Sequence, residues 1–127
     1  MEFDYIVVGA GSAGCVMANR LSASGKHSVL VLEAGKRSNF WTQFPISFAL
    51  LLDDPVANWR FRSEPEEGTA NRVIPVPRGK VVGGSSAING LVYVRGQPMD
   101  YDTWAQQGNR GWDFDTVKTY FRKLEDF

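Results

Sequence analysis

An α/β fold that opens on a strand, a turn, a helix and a second strand is predicted by three observations. Tyr5-Ile-Val-Val8 and Ser28-Val-Leu-Val-Leu32 are short apolar runs rich in β-branched residues, the pattern of parallel strands buried on both faces. Between them, Ala13 to about Ser24 carries Val16, Met17, Ala18 and Leu21 as one apolar helical face. The glycines of Gly9-Ala-Gly-Ser-Ala-Gly14 fall at the junction of the first strand and the helix. The order makes a βαβ start, with a right-handed crossover expected.

Bulk properties narrow the function classes. The chain has 127 residues, which suits one domain. Its 43% apolar and 22% charged residues are ordinary for a soluble globular protein. Fourteen basic residues balance fourteen acidic ones, so no bulk charge favours a nucleic-acid partner, and none is assigned. A single cysteine, Cys15, forms no intrachain disulfide and fits a reducing compartment. The N-terminus enters a strand almost at once, with no basic region, apolar segment or small-residue cleavage site of a signal peptide. The apolar run Phe48-Ala-Leu-Leu-Leu52 is too short to span a bilayer, so no transmembrane segment is expected. The expectation is a soluble, cytoplasmic protein.

Each further element follows from local signals. Gly25 stops the first helix. Residues 36–77 mix Phe40, Trp41, Phe44, Phe48 and Trp59 with Pro45, Pro55, Pro65, Pro75 and Pro77, which predicts short structure and one helix over Ile46–Leu52. Loops of this length in a compact domain are usually functional. After a second glycine-rich stretch come Leu91-Val-Tyr-Val94, a helix near Asp100–Gln107 and a glycine turn at Gly108–Gly111. A last helix starts near Asp115, its expected N-cap, with Val117, Tyr120, Phe121 and Leu124 on one face. The sequence ends at Phe127 inside that amphipathic pattern without a cap, as expected of a cut rather than a natural end.

The first glycine motif has a mechanical reading. Gly9 permits the tight turn, Gly11 allows backbone to approach a pyrophosphate, and Gly14 lets helix and strand pack closely. Free N–H groups and the positive end of the helix dipole favour anionic phosphates. Glu33, closing the second strand, is placed to accept hydrogen bonds from an adenosine ribose, and the small Ala34 and Gly35 leave room for it. With strands on both sides, the motif predicts a Rossmann-like dinucleotide site and leaves NAD and FAD open. Cys15 reads as a small residue packed on the sheet. The one histidine, His27, lies in the polar turn before the second strand and reads as solvated.

Arg78-Gly-Lys-Val-Val-Gly-Gly-Ser-Ser-Ala-Ile-Asn-Gly90 is the second motif. Gly83-Gly84 permits close approach, Ser85, Ser86 and Asn89 offer hydrogen bonds, and Arg78 and Lys80 bring charge. Physics alone divides evenly between a cofactor-holding segment and a flexible loop with two solvated basic residues. This stretch, continuing through Tyr93 and Gly96 to Asp102, resembles the first signature of the glucose-methanol-choline oxidoreductases. Asp4–Gly14, Glu33-Ala-Gly35, Asn58-Trp59, Trp104, Gly111-Trp-Asp-Phe114 and Tyr120-Phe-Arg-Lys123 are similar to the same family, so the likeness runs the whole chain. Within the family it looks nearest to choline-dehydrogenase-like and pyridoxine-oxidase-like alcohol oxidoreductases.

The resemblance implies FAD, with an FAD-binding domain of Rossmann-like start and a long family-type loop extension, incomplete in residues 1–127. It implies that Ser12 and Ala13 join Gly9, Gly11 and Gly14 at the pyrophosphate, and that Glu33 holds the ribose beside Ala34. It implies that Val82, Ser85, Asn89, Gly90, Leu91 and Val92 line the flavin end. Trp59 is read equally as a neighbour of the cofactor and as aromatic core. Relatives that attach FAD covalently use a histidine inside the second motif; Ala87 and Ile88 stand there here, so the FAD is expected to be non-covalent. The family's catalytic histidine and substrate domain lie near the far C-terminus, so no catalytic residue and no metal ligand is assigned here. The expected partners are the remainder of the enzyme, as a second polypeptide or a missing C-terminal part, and a small-molecule alcohol. Two rivals remain: an NAD-dependent dehydrogenase, which leaves Arg78–Gly90 unaccounted for, and a non-enzymatic nucleotide-binding module.

Overall fold

The computed structural model describes residues 1–125. The chain, which its length suits to one domain, divides into two compact units, Met1–Val92 and Tyr93–Phe127.

The first unit opens as the apolar pattern dictates. Strand β1 (Tyr5–Val8), helix α1 (Ser12–Ser22) and strand β2 (Val29–Leu32) follow in order. The two strands pair in parallel, Tyr5 opposite Val29 through Val8 opposite Leu32. Gly25, at φ +68°, donates its N–H to the Ser22 carbonyl and ends the helical path, as a left-handed glycine does. Asp4 fixes the start of the pair: its Oδ2 accepts the Ser28 N–H and hydroxyl, at 2.7 and 2.8 Å. The Ser28 backbone N–H, the larger influence, and then its hydroxyl hold the Asp4 carboxyl below its ordinary range.

Three expectations about burial fail here. The strands are not buried on both faces: Ile6 is 60% and Val8 84% exposed, because α1 is the only helix that packs on this two-stranded sheet among the described residues. The inward residues of α1 are Gly14, Ala18 and Leu21, one stripe at i, i+4 and i+7, while Val16 and Met17 face outward. Cys15 is likewise exposed rather than packed on the sheet, and its thiol donates to the Ala10 carbonyl at 3.3 Å.

The proline-rich middle is built of short pieces, as Pro45, Pro55, Pro65, Pro75 and Pro77 require. Single 3-10 turns at Phe40–Gln43 and Pro45–Ser47 lead into a one-turn helix, α2 (Phe48–Leu51), in place of the one continuous helix expected over Ile46–Leu52. Pro45 starts its turn without needing an N–H. Two-residue strands β3 (Phe61–Arg62) and β4 (Pro75–Val76) pair antiparallel. The core of the unit lies beneath the second glycine motif rather than on the sheet: Leu51, Ala57, Val81 and Ile88, with Ala87 packed against them. Leu91–Val94 forms no regular element and is exposed, with Leu91 itself at φ +61°.

In the second unit, helices α3 (Pro98–Gln106) and α4 (Phe114–Leu124) pack around Tyr101. The Tyr101 ring meets Trp104, Phe114 and Phe121 at centroid distances of 5.5, 6.0 and 5.8 Å. Phe114, Val117 and Phe121 form the inner stripe of α4, while Tyr120 and Leu124 of the predicted face point outward. Gly108 and Gly111 make the connecting turn at φ +102° and +82°. Arg95 pairs with Glu125, and the Asp102 carboxylate accepts the Phe114 N–H at 3.0 Å.

Asp113, not Asp115, is the N-cap of α4. It accepts the Thr116 N–H at 3.0 Å and the Thr116 hydroxyl at 2.8 Å, and the backbone bond, then the hydroxyl, hold its carboxyl below the ordinary value of 3.8. A depressed carboxyl stabilises the fold above its unfolded pKa and loses that contribution as the pH falls through its folded pKa. Acidification below the ordinary carboxylate range should therefore fray the first turn of α4. The Thr116 amide resonance, followed in an acid titration, should show this step, and Asp113→Asn should remove it.

Candidate functional site

The candidate site is assembled where the two glycine motifs meet. Gly9, at φ +95°, turns the chain out of β1 and donates its N–H to the Leu32 carbonyl at 2.7 Å. Ala10 follows, buried, and α1 begins at Ser12. A Cβ on Gly14 would lie 1.9 Å from the Gly9 carbonyl oxygen and 3.4 Å from Val7, so only glycine lets the helix sit this close to the strand. That is the packing role the motif predicts for its third glycine.

Gly11 has a neighbour that the sequence did not disclose. It forms an isolated parallel bridge with Gly83, whose N–H donates to the Ala10 carbonyl at 2.7 Å. Gly84, buried and at φ +58°, would bring a Cβ within 2.8 Å of the Gly11 Cα. The second motif is therefore a partner of the first turn and no flexible loop. Val81 is in the core, and the Val82 N–H reaches the Lys36 carbonyl at 3.0 Å. On the other side, Lys80 donates its N–H to the Ala57 carbonyl at 2.7 Å, and Trp59 donates to the Arg78 carbonyl at 2.9 Å.

Glu33 lies at this junction, half-buried. Its Oε2 accepts the Ala10 N–H at 2.7 Å and its Oε1 accepts the Gly35 N–H at 2.8 Å. Each oxygen keeps a second acceptor direction for an added hydroxyl. Ala34 is exposed beside it. The first turn of α1, with Ser12 and Ala13 exposed, carries neither a side-chain cap nor an acidic residue. Its leading N–H groups have no partner inside the helix, which suits them to an anion. A pyrophosphate group fits these residues: the approach is lined by glycine, and the first turn of α1 carries no acidic residue.

The remaining predicted residues have other partners. Ser85 turns its hydroxyl back to accept the Gly79 N–H at 3.1 Å. Asn89 accepts the Leu91 N–H at 3.0 Å, and both residues border a small cavity of about 100 Å³ shared with Phe44, Phe48 and Ala87. Gly90 lies over the Phe48 ring, and Val92 is exposed. Trp59 belongs to no core; half exposed, it stacks on Phe61 at 5.7 Å with the Lys80 ammonium 4.6 Å from its ring centroid. A larger open cleft, about 470 Å³ and bordered by Asp53, Arg60, Phe61 and Arg62, holds none of the predicted residues.

Sequence reasoning missed what three residues do in shaping the site. Gly35 admits the Lys80 carbonyl, which would stand 2.0 Å from an added Cβ, and Gly79 admits that of Gly84 at 2.1 Å. Their signal was visible as a glycine directly after Glu33-Ala34 and another inside Arg78-Gly-Lys80. The third, Asn58, is only 2% exposed. Its Oδ1 accepts the N–H groups of Arg60 and Arg78, at 2.9 and 3.0 Å, and its Nδ2 donates to the Leu52 carbonyl at 2.6 Å. Asn58 thus spends its hydrogen-bonding capacity on tying α2 and the second motif together.

Known proteins share this arrangement. The chain is 48% identical over 126 residues to an oxygen-dependent choline dehydrogenase of Photobacterium profundum, covering 98% of this chain and 22% of that protein. A pyridoxine 4-oxidase crystal structure from Mesorbium loti superposes with TM-score 0.83 at 35% identity, over 91% of this chain and 23% of that one. An FAD-dependent oxidoreductase from Chaetomium thermophilum gives TM-score 0.76 at 33% identity, over 94% and 20%. The chain therefore spans less than a quarter of the length of these relatives. Residues 3–126 also match the family profile described as GMC oxidoreductase, a span that takes in both glycine motifs and the junction between them, and the chain belongs to that family.

Proposed function

We propose that this chain is the FAD-binding segment of a flavin-dependent oxidoreductase that converts an alcohol to an aldehyde or ketone. The observation that carries the reading is the Gly83 N–H to Ala10 carbonyl bond, 2.7 Å, which couples the second motif to an uncapped, glycine-lined helix start. Gly9, Gly11, Ser12, Ala13 and Gly14 would hold the pyrophosphate, and Glu33 with Ala34 the adenosine ribose. Val82, Ser85, Asn89, Gly90, Leu91 and Val92, with Trp59 nearby, would approach the flavin end. When bound, FAD supplies the hydride acceptor, flavin N5; the chain's own part is to bind and orient it.

The general base is assigned outside residues 1–127. His27 is exposed and set edge-on against Tyr5 at 5.3 Å. Absence of a general base alone removes a factor of about 10²–10⁴ in rate, so residues 1–127 are not expected to turn over by themselves. Exposed apolar side chains support a covering polypeptide, either the rest of this chain or a second one: Phe40, Ile46 and Leu50 in the middle stretch, Tyr120 and Leu124 on α4. Among the described residues no helix is long and apolar enough to cross a membrane. A cytoplasmic setting is proposed on the single, unpaired Cys15.

The flavin is proposed to be non-covalent, since Ala87 and Ile88 offer no nucleophile. The full-length protein should purify yellow with a flavin absorbance spectrum. Acid precipitation should send all of that flavin to the supernatant. A colourless protein that is stabilised by NAD instead would overturn the cofactor assignment, and a yellow pellet would overturn the non-covalent one.

A further inference from the structure

We propose that Glu33 is a positioning residue for the glycine turn, holding Gly9–Gly11 in its binding shape before any nucleotide arrives. Ala10 is the point held. Its N–H is taken by Glu33 Oε2 at 2.7 Å, and its carbonyl is taken by the Gly83 N–H at 2.7 Å and the Cys15 thiol at 3.3 Å. The two peptide groups that flank Ala10, between Gly9, at φ +95°, and Gly11, are thereby each held by hydrogen bonds. Glu33 Oε1 meanwhile takes the Gly35 N–H at 2.8 Å, at the residue whose missing side chain admits the Lys80 carbonyl. One carboxylate thus spans the first turn and the segment on which the second motif rests.

The reason such a clamp matters is entropic. A glycine-rich turn loses more conformational freedom on ordering than any other sequence. If that loss falls at the moment of binding, it subtracts from affinity and slows productive encounter; if the fold has already ordered the turn, it does not. The ribose contact proposed above for Glu33 is a separate role: it holds the nucleotide after arrival and shows itself in dissociation.

Hydrogen exchange in the cofactor-free, full-length protein separates the two roles. Glu33→Gln keeps the size but presents an NH₂ group to one of the two amides. In that variant at least one of the Ala10 and Gly35 amides, the one that meets the NH₂ group, should exchange roughly ten- to hundredfold faster, the scale of losing one charge-assisted hydrogen bond. The Asn58 amide, bonded to the Asp54 carbonyl at 3.0 Å, is the reference and should not change. If the reference rises as well, the variant has lost its fold, and Glu33→Asp, which keeps the charge but is too short to reach both amides, decides through the same two positions. Unchanged exchange at Ala10 and Gly35 in the folded variant overturns the proposal.

The second readout rests on the FAD reading above: stopped-flow FAD binding should show the affinity loss mainly as slower association. A loss lying wholly in faster dissociation counts against the clamp. A wild-type protein that binds no FAD would sink the cofactor reading, while the exchange result, which needs no cofactor, still decides the role of Glu33.

Discussion

Gly14→Ala in the full-length protein should abolish FAD retention and destabilise the fold by about 1–3 kcal/mol or more, the scale of forced overpacking. The added methyl group would stand 1.9 Å from the Gly9 carbonyl oxygen and 3.0 Å from its carbon. These are backbone atoms at a turn already constrained by φ +95°, so no side chain can swing away to make room. Helix α1 would have to lift from β1, and the leading N–H groups of the helix would move with it. Flavin content and urea denaturation measure the two effects together. Gly68→Ala is the matched control, because an added Cβ there meets nothing within 4 Å. Wild-type flavin content in the Gly14 variant, alongside an unaffected control, would show that the turn tolerates a displaced helix.

Gly35→Ala should be nearly as damaging, although the residue belongs to neither glycine motif. Its Cβ would lie 2.0 Å from the Lys80 carbonyl oxygen, 2.1 Å from its carbon and 2.3 Å from the Val81 nitrogen. Relief requires the 80–82 segment to retreat, which strains the Val82 to Lys36 bond and draws Val81 out of the core it shares with Leu51, Ala57 and Ile88. A loss of at least about 2 kcal/mol follows from opening that core. Denaturant titration should show a lower midpoint, and bound flavin should fall in step. A stable variant that loses only its flavin would mean that the segment had shifted locally, leaving Val81 in place.

The parts of the fold that were legible in the sequence are those set by local chemistry. Tyr5–Val8, the Gly9–Gly14 turn, the helix after it and Val29–Leu32 stand where periodicity and glycine spacing put them. The α4 cap was misplaced by two residues because Asp113 and Asp115 are equally good cap residues; the choice depends on which one finds the Thr116 N–H. Strands β3 and β4 were not legible, since two-residue strands paired across a loop leave no period to read. Burial was the weakest inference. An apolar run such as Tyr5–Val8 records what a strand is made to meet, and α1 alone packs on it among the described residues.

At the site, the residue types were legible and their partners were not. Glu33 and the glycines follow from spacing, but the carboxylate's grip on Ala10 and Gly35 depends on a register that only the folded chain defines. Asn58 was read only as half of a family resemblance, Asn58-Trp59, because a buried asparagine looks the same in sequence as a solvated one.

The bond between Gly83 and the Ala10 carbonyl also sets a clock on biosynthesis. The turn after β1 leaves the ribosome before its partner, which is translated roughly seventy residues later. At the usual 5–20 residues per second, about 4–14 s pass before the turn can close. During that interval a glycine-rich loop and an apolar strand pair stand open on the nascent chain. A turn made before its partner is thus finished late, and its exposure falls in the window when chaperones meet emerging polypeptides.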